Sequence, residues 1–383
     1  PRDIIRSLSR TSVTVAALMI AVAVIIGVSV MVGSFRNTVV NWLDDILAAD
    51  IYISPAGQTA RVRSALAPEF INRVQRIEGV AGISRLRAVT VLGQDDGEIE
   101  LRALSPEPDE TERPMLWPTG QTEQLFARMD AGAVMVSEVF ARRLNLPLDR
   151  PSTVTLITES GPREFPVVGI FYDYALAEVG YVLMRLDTYR SHWPADDSVT
   201  NVALFLQPDY IDRADAIAQD IQDTFAAEYQ LSISSNRSLK VGALEVFDRT
   251  FTITAALRLL ATVVAFIGVL SALMSLQLER TRELGTLRAN GMSLPQLWGK
   301  TLLETGLMGI IAGLMAMPLG WLLAFVLIHF INLRSFGWTL QMYLDPAVFG
   351  TALVVALAAA LLAGIYPIIR LNNMEIAAAL REE

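Results

Sequence analysis

The triplet Gly299-Lys300-Thr301 closes the stretch SLPQLWGKT and matches the end of a nucleotide-binding P-loop. A complete P-loop has another glycine five residues before the first glycine of this triplet, because glycine amides wrap the phosphates. That position holds Leu294. Ser293 and Gln296 also have the spacing of a helix capping box, which places Gly299 inside a helix with its amides already bonded. The sequence therefore predicts no nucleotide site on this chain.

Other residue types that support catalysis or metal binding are scarce. The 383 residues include no cysteine and two histidines, His192 and His329, which excludes disulfides, thiolate metal sites and cysteine nucleophiles. His192 stands beside Trp193 and is interpreted as structural. The acidic groups at 95–96 and 107–110 lack the ligand spacing of a calcium loop and are interpreted as solvated surface. The net charge of −9 argues against nucleic acid as a partner.

The hydropathy pattern indicates a membrane protein. The chain is 52% hydrophobic, with a mean hydropathy of +0.41, and a membrane span needs about 20 apolar residues in a helix. Stretches that meet this requirement predict four transmembrane α-helices at 13–35, 251–278, 305–333 and 346–369. A large extracytoplasmic α+β domain is predicted at 36–250, between the first two spans.

Basic residues predict the orientation, because they concentrate on the cytoplasmic side of membrane helices. Nine flank the spans on one side: Arg2, Arg6, Arg10, Arg280, Arg282, Arg288, Lys300, Arg370 and Arg381. The short loop between the third and fourth spans has only Arg334. Residues 41–250, in contrast, hold 32 acidic and 19 basic side chains, a net charge of −13. We therefore predict that the segments 1–12, 279–304 and 370–383 are cytoplasmic.

Alternation and turn residues predict the organisation of the external domain. Strands and helices at about 48–104 and 198–240 form two strand–helix–strand units that share one sheet. An inserted subdomain at about 121–197 has a helix near Ser137–Leu144 and a hairpin that turns at Glu159–Pro162. The acid- and proline-rich stretch 105–120 before it is predicted to be a surface loop.

The cytoplasmic loop 279–304 is predicted to be a helix–turn–helix element. Asn290-Gly291 can take the left-handed conformation that ends a helix, and Ser293 begins the next helix. From the residues alone, this element is either a solvated turn or a docking surface for a cytoplasmic partner. In the third span, Gly306, Gly309, Gly313 and Gly320 permit close helix packing, either within the chain or between subunits.

Two motifs in the membrane part resemble a known family. The stretch ERTRELGTLRANGMS at 279–293, followed by LLETGLMGIIAG at 302–313, is similar to the signature of FtsX/MacB-like ABC transporter permeases. The C-terminal stretch from Tyr366 is similar to the end of that family, with Met374 where the family has proline. The plan of one span, a large external domain and three further spans also resembles the family, in which this domain is the MacB-like periplasmic core.

The resemblance implies a permease subunit of a bacterial inner membrane, whose loop contacts a separate cytoplasmic ABC ATPase dimer. ATP and Mg would be bound by that ATPase, and no cofactor by this chain. The other implied partners are a periplasmic adaptor, the lipid bilayer and a second permease half, supplied by a homodimer, a heterodimer or an N-terminal half missing from this sequence. The residues assigned to the coupling loop are Glu279, Arg280, Arg282, Glu283, Leu284, Gly285, Leu287, Arg288, Asn290 and Gly291.

Three function classes stay open. The resemblance favours export or extraction of a lipid, lipoprotein or hydrophobic compound, with no enzymatic activity on this chain. The alternatives are a signalling subunit that activates an external protein such as a cell-wall hydrolase, and a membrane-anchored binding protein that works without an ATPase. A proton-coupled transporter is disfavoured because no series of charged residues runs through the predicted spans.

Overall fold

The computed structural model describes residues 2–57, 64–94, 96–107, 114–118, 122–175, 179–279, 286–287 and 290–372. These residues form two compact units. The helical unit comprises Pro1–Arg36, Asp248–Ile331 and Leu340–Glu383, and the sheet unit comprises Asn37–Phe247 and Asn332–Thr339. The short segment Asn332–Thr339 therefore belongs with the sheet, although the sequence places it between the third and fourth predicted spans.

Ten α-helices are labelled along the described chain. They are α1 (Arg2–Ile46), α2 (Pro68–Val74), α3 (Thr122–Asp130), α4 (Glu138–Arg143), α5 (Leu186–His192), α6 (Ala214–Phe225), α7 (Asn236–Glu279), α8 (Leu294–Val326), α9 (Leu333–Phe336) and α10 (Pro346–Asn372). A π-helical turn, Leu327–Asn332, joins α8 to α9. Long helices with many apolar residues thus form most of the helical unit.

Three helical stretches within the described residues are long and apolar enough to cross a membrane: Val15–Ile46, Leu294–Phe336 and Pro346–Ile365. They coincide with the first, third and fourth predicted spans. The second predicted span, 251–278, lies within α7, but most of its side chains fall outside those that the structure describes. Four spans therefore stay a prediction, and three candidates are observed.

One mixed sheet of ten described strands runs through the sheet unit. The strands are β1 (Ile51–Pro55), β2 (Val80–Leu92), β3 (Glu98–Leu104), β4 (Met115–Trp117), β5 (Val134–Ser137), β6 (Ser152–Thr158), β7 (Gly161–Phe171), β8 (Val182–Arg185), β9 (Asn201–Leu206) and β10 (Leu231–Ser235). Their order is β10-β1-β9-β2-β3-β8-β5-β7-β4, and β6 pairs with β7. The pairs β3–β8 and β5–β7 are parallel and the others antiparallel.

The inserted subdomain extends the sheet instead of forming a second one. Strand β2 makes this possible through its 13 residues, because one part of it pairs with β9 and the other with β3. Beyond β3, the register of Leu101 opposite Val182 joins the insertion. Separate apolar cores nevertheless form on the two halves, one around Phe70 and Ile221 and one around Phe140. The prediction of a shared sheet with helices packed on it is confirmed.

Two details of the α+β prediction were wrong. Within 105–120, predicted to be a surface loop, Met115–Trp117 forms strand β4 and pairs with β7. The prediction also assigned no structure to α3, α5, β5 and β8. Strands of three or four residues are too short to show a period, and both β5 and β8 are buried along their whole length, so neither alternates.

Candidate functional site

The turn at the start of the third span folds as the sequence predicts. Gly291 has a φ of +92°, the left-handed conformation that glycine adopts without strain. The amide of Met292 donates to the carbonyl of Leu287 at 3.1 Å, and the amide of Asn290 donates to that of Thr286 at 3.0 Å. The first of these bonds, with Gly291 one residue before its donor, is the pattern of a Schellman helix end.

A capping box begins α8 immediately afterwards. Ser293 has extended backbone angles, and its amide donates to Oε1 of Gln296 at 3.0 Å. Pro295 lies in the first turn, where no helical bond is lost. Gly299 is inside the helix, so its amide is not available for a phosphate. The interpretation of Gly299-Lys300-Thr301 as a false P-loop is therefore consistent with the structure.

A small apolar contact holds the two sides of this turn together. The side chain of Leu297, in α8, is 1% exposed and packs against Leu287 and Met292. A contact between the residues on either side of the left-handed glycine is typical of the Schellman end. We call Leu287 together with residues 290–297 the foot. The helix end, the capping box and the buried Leu297 define its local structure.

The coupling residues are only partly placed by the structure. Asn290 and Gly291 are exposed at the turn, and Leu287 is half-buried in the foot. Glu279 ends α7. The other assigned residues, Arg280, Arg282, Glu283, Leu284, Gly285 and Arg288, lie outside the described residues. Their role in docking an ATPase stays a prediction.

The glycines of the third span lie against other helices of the same chain. A Cβ atom on Gly309 would lie 2.6 Å from the Cβ of Ala360, and one on Gly313 would lie 2.7 Å from Leu353 Cδ1. Gly306 is less tightly packed, with Leu361 Cδ2 at 3.4 Å from such a Cβ. The faces of α8 and α10 therefore approach more closely than any larger residue would allow.

The fourth glycine packs α8 against α1. A Cβ on Gly320 would lie 2.6 Å from the Cβ of Ile26 and 3.0 Å from the carbonyl of Ala23. In return, a Cβ on Gly27 of α1 would lie 2.8 Å from Leu323 Cδ2. Of the two roles left open for this glycine face, the contacts in the structure are those of packing within the chain.

A cavity of about 270 Å³ opens on one face of the sheet. Side chains alternate between the two faces of β3. Leu101 and Ala103 face the buried core, and Arg102 and Leu104 face the cavity. The lining includes Leu47, Leu86, Arg102, Leu104, Asp173 and Tyr181. Apolar side chains and a few charged groups thus meet in one concave site, as in many small-molecule sites.

The charged groups of the cavity are held in fixed positions. The guanidinium carbon of Arg102 lies 4.1 Å from the centre of the Tyr181 ring. The Tyr181 hydroxyl donates to Oδ2 of Asp173 at 2.8 Å, and the amide of Ala175 donates to its Oδ1 at 2.9 Å. The cavity can accept part of an amphipathic molecule, with an apolar group against the leucines and a polar group near Arg102.

His192 makes the contacts of a packing residue. Its ring lies edge-on to Phe165, 5.1 Å between centres. Burial and the charge of Arg163 lower the pKa of its imidazole, so the ring stays neutral over a wider pH range. Within the described residues, no group of three or more His, Asp or Glu side chains is placed to hold a metal ion.

Sequence reasoning missed the polar residues that join distant segments. Asn236 bonds to the end of α1, and Glu138 bonds to Thr339. Each bond joins residues about 190 to 200 positions apart in the sequence. One local signal existed: Glu138 follows the N-cap Ser137 in the first turn of a short helix, where an acid is favoured.

Comparison with known proteins identifies the family. The sequence model of the MacB-like periplasmic core domain matches residues 11–224, more than half of the chain. The chain belongs to the MacB/FtsX-type ABC transporter permeases. The model of the FtsX-like permease C-terminal domain matches residues 255–376 of this permease, the region that contains the foot, α8 and α10.

Individual relatives agree with this family. The permease is 47% identical over 386 residues to an uncharacterised ABC transporter permease protein of Mycobacterium tuberculosis, with all of this chain and 45% of the relative covered. It therefore spans less than half the length of that relative.

Two solved structures are also similar. The extracellular domain of the noncanonic ABC-type transporter YknZ from Gram-positive bacteria has 14% identity, a TM-score of 0.33 and coverage of 49% of this chain and 98% of its own. The periplasmic region of MacB from Actinobacillus actinomycetemcomitans has 10% identity, a TM-score of 0.36 and coverage of 52% and 95%.

Proposed function

We propose that this permease couples ATP hydrolysis by a separate cytoplasmic ATPase dimer to movement of its sheet unit outside the membrane. The movement would export or extract a lipid, a lipoprotein or another hydrophobic compound. The ATPase would hold ATP and Mg, and a second permease half would complete the transporter. The single observation that carries the proposal is α7, one uninterrupted helix of 44 residues.

The length of α7 suits a mechanical link. At 1.5 Å per residue it extends over about 66 Å, about twice the 30 Å hydrocarbon core of a bilayer. The helix begins directly after β10 in the sheet unit and ends at Glu279, where the assigned coupling loop starts. We infer that a displacement at one end is passed to the other, because the helix continues through Gly242 and Gly268 without a break.

The first turns of α7 are bonded to the last turn of α1 and to the residues that follow it, within the sheet unit. Asn236 Nδ2 donates to the carbonyls of Leu47 and Ala49, at 2.5 and 3.0 Å. Lys240 Nζ lies 2.7 Å from a carboxylate oxygen of Asp44. Since β1 pairs with β10, a movement of either helix would be felt by the strands that follow α1 and precede α7.

The same two helices contact each other within the helical unit. The rings of Phe35 and Phe251 lie 5.3 Å apart, and Arg36 Nε lies 3.2 Å from Asp248 Oδ1. The ion pair is exposed and contributes little by itself. Two contact points per unit nevertheless favour α1 and α7 moving as a pair.

The substrate class rests on the family resemblance and on the cavity. Its leucines and the Arg102–Tyr181 pair suit a molecule with an apolar part and a polar part. Small ions and sugars have no apolar group to pack against the leucines, so the lining disfavours them as substrates.

Replacing Gly291 with valine tests the coupling. A β-branched residue is strained at a φ of +92°, so the foot should deform and the complex with the co-purifying ATPase should weaken about tenfold. The ATP-driven change in distance between spin labels at positions 209 and 345, measured in nanodiscs, should disappear. Gly299→Ala is the control, because a Cβ there meets no atom within 4 Å.

The result that contradicts coupling through the foot is a G291V protein that binds the ATPase and moves as the wild type does. Charge reversal of Arg282 and Glu283, chosen from the sequence, tests the neighbouring part of the loop. Both variants should lose ATPase binding together if the loop acts as one docking surface.

A further inference from the structure

The segment Asn332–Thr339 is folded into the sheet unit although the membrane helices flank it. Trp338 is 3% exposed and Asn332 is 6% exposed. Asn332 Nδ2 donates to the carbonyl of Trp338 at 3.1 Å, which closes the segment on itself. Gly337, at a φ of +73°, ends α9 and turns the chain back. The segment is thus a compact, ordered loop.

Glu138 of α4 is the residue that holds this loop. Its carboxylate is fully buried and accepts a hydrogen bond from the Thr339 amide at 2.9 Å and one from the Thr339 hydroxyl at 2.5 Å. Arg142, one turn further along α4, donates from Nε to the same carboxylate at 2.8 Å. A buried carboxylate is tolerated only when its oxygens are paired. Two of the donors to this carboxylate belong to Thr339, so the loop stabilises Glu138 in its buried position.

A tyrosine reinforces the contact from a third direction. The Tyr174 hydroxyl donates to the carbonyl of Thr339 at 3.1 Å. Its ring lies edge-on to Trp338, 4.7 Å between centres, and to Trp42 in α1, 5.6 Å between centres. Burial, followed by the charge of Glu138, raises the pKa of the Tyr174 hydroxyl above its usual value.

We infer that Glu138, Thr339 and Tyr174 form a clasp that makes the α8–α10 connection a further mechanical attachment of the sheet unit, in addition to α1 and α7. The inference rests on the proposed function, since it concerns which parts move together. With the clasp closed, residues 332–339 move with the inserted subdomain. The π-helical turn Leu327–Asn332 would absorb the difference in position relative to α8, because π-helical turns are weak points in helices and recur at functional sites.

Spin labels at Asp149 and Arg334 test the clasp. Both residues are exposed, one in the inserted subdomain and one in the loop, and the lack of cysteine permits clean labelling. The full-length permease with its ATPase is studied in nanodiscs, with ADP and with ATP. The wild type should give one narrow distance that is the same in both states.

Glu138→Gln should broaden that distance and speed hydrogen exchange at the peptide containing Thr339 about tenfold, because an amide replaces an oxygen that now accepts hydrogen bonds. Thr339→Val is a second variant that removes only the hydroxyl, and it should have a smaller effect in the same direction. Glu159→Gln is the matched control: Glu159 is exposed in the turn between β6 and β7 and accepts a hydrogen bond from the Ala195 amide.

If Glu138 only stabilised the fold, the amount of substrate transported per ATP by each folded molecule would be unchanged in E138Q. We expect the complex with E138Q to hydrolyse ATP at the wild-type rate. The amount of substrate released per ATP hydrolysed should fall. The inference is overturned if the E138Q distance stays as narrow as in the wild type, or if the wild-type distance itself changes between ADP and ATP. If the 209–345 distance in the wild type does not change with ATP, the proposed function is overturned instead. The 149–334 distance of E138Q measured with ADP would still test the clasp.

Discussion

At the scale of single residues, side chains and glycines that could belong to a functional site have structural roles instead. The glycine of the false P-loop, Gly299, is an ordinary helical residue, whereas Gly291 is required by its backbone conformation. The carboxylate of Asp196, which the sequence analysis did not single out, also has a structural role. It accepts hydrogen bonds from Arg87 at 2.7 Å, from Tyr189 at 2.8 Å and from Ser198, and it fixes one end of α5.

Asp196 should make stability depend on pH. Burial alone would raise the pKa of its carboxyl group, but the hydrogen bonds from Ser198, Tyr189 and Arg87 outweigh burial and lower the pKa from 3.8 to about 2. A lowered pKa stabilises the fold above pH 3.8, and that stabilisation is lost as the pH falls towards 2. We expect a contribution of about 1 to 2 kcal/mol, discounted for partial exposure.

Thermal unfolding in detergent, followed by intrinsic fluorescence, measures this effect. Asp196→Asn should melt about 4 °C lower than the wild type at pH 6, and the difference should shrink as the pH falls from 3.8 towards 2. Asp209→Asn, at an exposed acid, should melt with the wild type throughout. A difference between D196N and wild type that persists unchanged at pH 2.5 would contradict the assignment.

At the scale of elements, close approach of backbones decides the packing of the membrane helices. Apolar side chains gain little from helix association in lipid, so contact area and small residues matter most. The α8–α10 pair shows this where Gly309 faces Ala360 and Ala356. The foot follows a different rule, because a helix end, a cap and one buried leucine define it locally.

Gly309→Ala should weaken the α8–α10 pair. The added Cβ would lie 2.6 Å from Ala360 Cβ and 3.1 Å from the Ala356 carbonyl, and neither atom can rotate away. We expect a loss of about 1 to 3 kcal/mol, typical of overpacking, measured as a lower midpoint of SDS-induced unfolding by circular dichroism. Gly350→Ala in α10 serves as control, since a Cβ there meets no atom within 4 Å. Equal midpoints for the two variants would rule out this packing role.

At the scale of the whole molecule, charge is distributed unevenly along the chain. Residues 41–250 have a net charge of −13, whereas basic residues flank the predicted spans. Both termini and the foot are accordingly proposed to be cytoplasmic, and the sheet unit external. The family assignment agrees with a periplasmic-type domain, and the orientation itself is open to a direct measurement.

Single cysteines test the orientation without background, because the chain has none. A cysteine at Asp209, exposed in the sheet unit, should react with a membrane-impermeant maleimide in intact spheroplasts. One at Asn290, exposed in the foot, should react only after permeabilisation. The reverse pattern would invert the proposed topology and remove the foot from contact with any cytoplasmic ATPase.

What the sequence by itself determined about this permease is what depends on neighbours along the chain. The capping box at Ser293, the left-handed turn at Gly291 and the apolar stretches of three candidate spans are all local, and each was predicted correctly. The motifs at 279–293 and 302–313, whose resemblance indicated the family, are local in the same sense. Only the tertiary structure decided that the inserted subdomain joins the main sheet through β3 and β8, and that Glu138 binds Thr339 across 201 positions. The energy of a buried carboxylate depends on which partners the fold brings to it, and no local pattern in the sequence carries that information.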